Sequence, residues 1–67
     1  MSMYKMVNIL EKSLNSGMHN ADNVERVKVT LYHVTRAMKT PGYDQSERRE
    51  LDVKALNYCA DYLNIKF

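Results

Sequence analysis

Cysteine is nearly missing from this sequence, and one residue, Cys59, cannot form a disulfide within the chain. A structural zinc takes four Cys or His ligands. Only Cys59, His19 and His33 are on offer, scattered along the chain, so neither a metal nor another cofactor is expected. A lone cysteine suits a reducing compartment, and the N-terminus lacks an apolar run ending in a small-residue cleavage site. The expected location is therefore cytoplasmic. No stretch approaches the ~20 apolar residues of a membrane-spanning helix, so no membrane partner is expected. A strong charge of one sign is also lacking: ten basic and eight acidic residues leave a net charge of +2. Dedicated nucleic-acid binders carry a basic excess on one face, and the overall balance does not demand one here. Two glycines and one proline leave few places for the chain to break.

What is present is ordinary for a globular protein: 45% hydrophobic and 27% charged residues. Residues 1–67 are expected to form a single helical domain. A chain this short buries only about 60% of its unfolded surface, so its core is marginal. With disulfide and metal excluded, the remaining sources of stability are close helix packing, self-association or a binding partner.

Two breaks divide the chain, Asn15-Ser16-Gly17 through His19-Asn20 and Thr40-Pro41-Gly42. Glycine supplies the left-handed conformation that ends helices, and proline cannot continue one. In the first segment Met3, Val7, Leu10 and Leu14 recur at helical spacing and Met6 widens the stripe, predicting a helix over residues 3–15. Ser2 can cap its start. In the second segment Val24, Val27, Leu31, Val34 and Met38 alternate three and four apart, predicting a helix over residues 21–39. Asn20 is a good cap. Asp22 and Glu25 near the start, with Arg36 and Lys39 in the last turn, suit the helix dipole. The valine-rich stretch 26–34 also has strand character, but its alternation fails at His33. In the third segment Asp44 and Glu47 resemble a capping box, predicting a helix over residues 45–64. Its apolar arc is read as Leu51, Ala55, Tyr58, Cys59 and Tyr62, with Leu56 and Leu63 at the edge. Glu50, Lys54, Asn57 and Asp61 line the opposite face.

The expected fold is all-α: a small three-helix domain with a long antiparallel hairpin (21–39 and 45–64) and a shorter N-terminal helix (3–15) packed on it. A short connection makes consecutive helices antiparallel neighbours. The shorter first helix cannot cover the whole hairpin, so part of the third helix's apolar arc is expected to stay exposed, as interfaces often are. Ile65 and Phe67 form an apolar tail that could tuck against the bundle or pair across a dimer.

Two surfaces invite a functional reading. The first is a partner or dimer interface of Tyr58, Tyr62, Leu63, Ile65 and Phe67, because tyrosine is enriched at interface hot spots. The second is a basic and aromatic face of Lys28, Tyr32, Arg36 and Lys39, extended by Arg48 and Arg49 at the start of the third helix. Such a set could hold a phosphate and stack a base, with Tyr43 as a second ring. Against it, Asp44, Glu47, Glu50 and Asp52 can pair locally with Arg48 and Arg49, giving an ordinary solvated surface.

No catalytic set can be assembled. His19 reads as a loop residue and His33 as exposed. Cys59 lies on the apolar arc without the electropositive setting that a nucleophile needs. Dinucleotide, P-loop, zinc-protease and EF-hand motifs are missing. The connection between the second and third helices is too long for a helix-turn-helix, and a ribbon-helix-helix would put Pro41 inside a helix. In size and manner the chain resembles the small helical accessory proteins of bacteriophages, which bind and block host factors. No motif carries that likeness, and it assigns no family. The expectation is a non-enzymatic, self-associating interaction module that binds and in doing so can inhibit another protein. The alternative is a binder of nucleic acid or a nucleotide.

Overall fold

The computed structural model describes residues 1–67 and is built from three α-helices with no strand: α1 (Met3–Ser16), α2 (Ala21–Met38) and α3 (Glu47–Tyr62). A 3₁₀ turn, Tyr43–Gln45, precedes α3. The valine-rich middle of the chain is helical throughout. Apolar side chains at heptad spacing find a continuous partner surface on the neighbouring helices, and this outweighs the β-propensity of single residues. The domain measures 36 × 20 × 16 Å. The long axis fits α2, whose 18 residues span about 27 Å.

The helices run up, down and up. The Asn23 side-chain amide, at the start of α2, donates to the Tyr62 carbonyl at the end of α3 (3.4 Å), while a short loop joins the opposite ends. Helices α2 and α3 are therefore antiparallel, and they share the most extensive contact of the bundle. The start of α1 lies at that loop, where Met3 Sδ stands 3.6 Å from the Tyr43 hydroxyl. The core joins Met3, Met6, Val7 and Leu10 of α1, Val27, Leu31 and Val34 of α2, and Leu56, Cys59 and Ala60 of α3, closed by Tyr43 and Leu63.

Local chemistry sets the ends. The Ser2 hydroxyl accepts from the Lys5 amide, and the Asn20 side chain accepts from the Asp22 and Asn23 amides. Thr40 to Tyr43 form a turn in which Gly42 takes φ +80° and the Tyr43 amide donates to the Thr40 carbonyl, the pattern of a type II turn after Pro41. Asn64 adopts φ +57°, and the Ile65 amide reaches back to the Ala60 carbonyl at 2.9 Å. That Schellman-type ending folds Ile65 and Phe67 onto the core, so the tail tucks.

Three sequence expectations change. Helix α3 begins at Glu47, capped by the backbone of Ser46 rather than by Asp44, because Tyr43–Gln45 is drawn into the 3₁₀ turn when the Tyr43 ring is buried. Gly17 is extended, with φ −107°, not left-handed. Its small size is needed because the His19 ring folds back over it, where an added Cβ would collide with Nε2. There His19 Nε2 bonds the Ser13 carbonyl at 3.1 Å, a second partner for an oxygen that also accepts from the Gly17 amide at 3.0 Å in the last turn of α1. The third change is the buried arc of α3. Asp52, Leu56, Cys59 and Ala60 are inside, whereas Leu51 and Tyr58 point to solvent. The apolar residues of this helix run round most of its circumference, so the sequence offered two arcs, and packing against α1 and α2 selected the one that includes Asp52.

Candidate interaction surface

The exposed flank of α3 is built by a repeat. Leu51, Ala55, Tyr58 and Tyr62 are spaced four, three and four residues apart and share one side of the helix. Leu51 is 62% exposed, Tyr58 65% and Tyr62 39%, and Ala55 lies half-buried between them. This flank borders α2: the Arg26 guanidinium carbon lies 5.8 Å from the centre of the Tyr62 ring. The other flank of α3 faces α1, where Arg49 lines a depression with Ser2, Met3 and Tyr4. The tyrosine stripe is therefore free because it lies on the far side from α1, and not because α1 is too short to reach it.

Of the residues expected at a partner interface, the structure places Tyr58 and Tyr62 at the surface. Leu63 is only 3% exposed and belongs to the core, which removes it from any interface. Ile65 and Phe67 are partly buried against the same core. Leu51, which the sequence pattern placed on the apolar arc but not in the interface set, joins the two tyrosines on the exposed flank. Its heptad relation to Tyr58 was the available signal.

The basic residues disperse. Tyr32, Arg36 and Arg48 line one open depression of about 460 Å³ together with His33 and Ala37. Arg49 lines another with Tyr43 and Asp44. Lys28 and Lys39 are exposed on α2 and at its end. Within the first depression the cations are already engaged. Arg36 Nη1 donates to the Tyr32 hydroxyl at 2.7 Å and lies over the same ring. Arg48 Nε donates to both carboxylate oxygens of Asp52, at 2.9 and 3.1 Å. Tyr43 cannot serve as a second stacking ring, since it is only 6% exposed.

Asp52 organises the loop end of the bundle. Its Oδ2 accepts from the Tyr43 hydroxyl at 2.6 Å. Burial, and then the hydrogen bond to Asp52, push the Tyr43 phenol far above its ordinary value of 10.0. The carboxylate thus pins the 3₁₀ turn to α3, and every buried side-chain polar atom has a partner. Burial also raises the Cys59 thiol, with partial offset from the Thr30 hydroxyl. A thiol that is protonated and 1% exposed has neither the charge nor the access of a nucleophile. His33 is exposed, and no three His, Cys, Asp or Glu side chains gather where they could share a metal ion. No helix is long and apolar enough to cross a membrane.

No protein-family model, curated protein or solved structure shows significant similarity to this chain. The functional reading therefore rests on the geometry of its surfaces.

Proposed function

We propose that this protein is a non-enzymatic interaction module that self-associates and binds a partner protein through the outer flank of α3. The observation that carries the reading is the alignment of Leu51, Tyr58 and Tyr62, three large and substantially exposed side chains, on one face of a rigid helix. Tyrosine rings bury area at small entropic cost and keep a hydroxyl for the rim of an interface. A module of this kind acts by occupancy, covering a surface that its partner needs, which is how so small a protein would inhibit. The nucleic-acid or nucleotide reading draws less support, because Arg36 and Arg48 already have partners and Arg49 lies on another flank.

The test is capture from lysate by the immobilised full chain, with and without nuclease, compared with the variant Tyr58→Ala/Tyr62→Ala. Circular dichroism would confirm that the variant is folded. Removing hot-spot tyrosines is expected to weaken capture about tenfold or more, equivalent to about 1.4 kcal/mol, with no effect of nuclease. Capture that survives both substitutions, or that vanishes with nuclease, overturns the proposal.

A further inference from the structure

We infer that the outer flank of α3 pairs with the same flank of a second copy in antiparallel register, Leu51 against Tyr62 of the second copy and Ala55 against Tyr58. This inference rests on the proposed role of that flank and specifies its first occupant. The spacing of four, three and four residues is that of a coiled-coil seam. A twofold axis between positions 55 and 58 brings each member of the stripe opposite another member. Size complementarity follows. The large Tyr58 meets the small Ala55 of the second copy, and Tyr62 meets Leu51, so the layers interdigitate.

Charge complementarity selects the same register. Glu47, Lys54 and Asp61 follow one another at intervals of seven along the solvent edge of the stripe. Flanking charges of this kind set partner orientation in helical seams. In the antiparallel arrangement Lys54 faces Asp61 of the second copy, and the symmetry repeats the pair. A parallel arrangement sets Lys54 and Asp61 against the other edge of the second copy's stripe, and there Asp52 and Cys59 are buried within the protomer, so neither charge finds a partner. Lys54 and Asp61 are exposed and make no salt bridge in the single chain.

Sedimentation equilibrium of the full chain over a range of concentrations tests the inference, with Lys54→Glu, Asp61→Lys and the double variant alongside. All three changes are at exposed positions, so folding should persist. The wild type is expected to show a reversible monomer–dimer equilibrium. Each single variant creates two like-charge contacts and should weaken it roughly tenfold, and the double variant should restore it. A wild type that stays monomeric at millimolar concentration overturns the dimer and leaves tyrosine-dependent capture to stand or fall alone. A dimer that ignores the single changes, or a double variant no tighter than the singles, overturns the antiparallel register.

Discussion

At the scale of single residues, two positions carry more than their type suggests. Replacing a glycine by alanine at a permissive backbone angle gains about 0.4–1 kcal/mol by restricting the unfolded chain. Gly17 has such an angle, but a Cβ there displaces the His19 ring from the Ser13 carbonyl. The lost hydrogen bond costs about 1 kcal/mol. Gly17→Ala alone should therefore leave stability nearly unchanged, while in a His19→Ala background the same change should stabilise. Urea titration of the four species would read a coupling of about 1 kcal/mol. Zero coupling would show that the histidine does not cap α1. The second position is Asp52. Removing its carboxylate leaves the buried Tyr43 hydroxyl without its acceptor, so Asp52→Ala should cost about 2 kcal/mol by thermal denaturation. Tyr43 also gives a signed pH dependence. The folded state holds the phenolic proton where an unfolded tyrosine releases it, above about pH 10. The unfolded state then binds fewer protons, so stability is fully present below that pH and falls as pH rises. Cys59 acts in the same direction from about pH 9. The urea midpoint should drop between pH 8 and 11, and drop less in Tyr43→Phe.

At the scale of elements, the sequence was readable where one face alone is apolar. Helices α1 and α2 each carry a single stripe, and their caps, Ser2 and Asn20, act where the pattern placed them. The existence of α3 and its place in an antiparallel hairpin were legible from the break at Thr40-Pro41-Gly42 and the short connection that follows it. Its orientation about its own axis was not, because Leu51, Tyr58 and Tyr62 compete with Leu56, Cys59 and Leu63 for the core. The deciding residue is Asp52, which looks solvent-facing by type and is buried only because Tyr43 satisfies it from another element and Arg48 from the preceding turn. The Arg48 pairing was legible at i,i+4 spacing, but the bond from Tyr43, which joins a 3₁₀ turn to a helix, follows no periodicity that the sequence displays. The tyrosines of the candidate surface were legible, whereas Leu51 was lost and Leu63 wrongly included through the same rotation. A direct check contrasts the two arcs. Leu56→Ala, at a fully buried site, should cost about 2–5 kcal/mol, enough to unfold much of a domain this small. Leu51→Ala, measured where the protein is monomeric, should stay within about 0.5 kcal/mol. Equal effects on thermal unfolding would mean that both arcs are buried.

At the scale of the whole molecule, stability and interaction become one question. The core is twelve side chains without a disulfide, and the largest exposed apolar groups on α3 form one stripe. If that stripe closes against a second copy, folding is linked to association by mass action. At a protein concentration a hundredfold above the dissociation constant, a ligand that binds only the folded state adds about 2.7 kcal/mol, and a second copy acts as such a ligand. For a domain of this size 1 kcal/mol moves the melting temperature by roughly 4–8 °C. The melting temperature of the wild type should therefore climb by on the order of 10 °C between dilute and concentrated solution. In Leu51→Ala/Tyr58→Ala the climb should disappear, while the melting temperature in dilute solution stays close to that of the wild type, because neither side chain belongs to the core of the single chain. Differential scanning calorimetry at several concentrations separates the two effects. A variant that melts lower at every concentration by the same amount would place those side chains in the fold itself, and a wild type indifferent to concentration would leave the helix packing as the only source of stability.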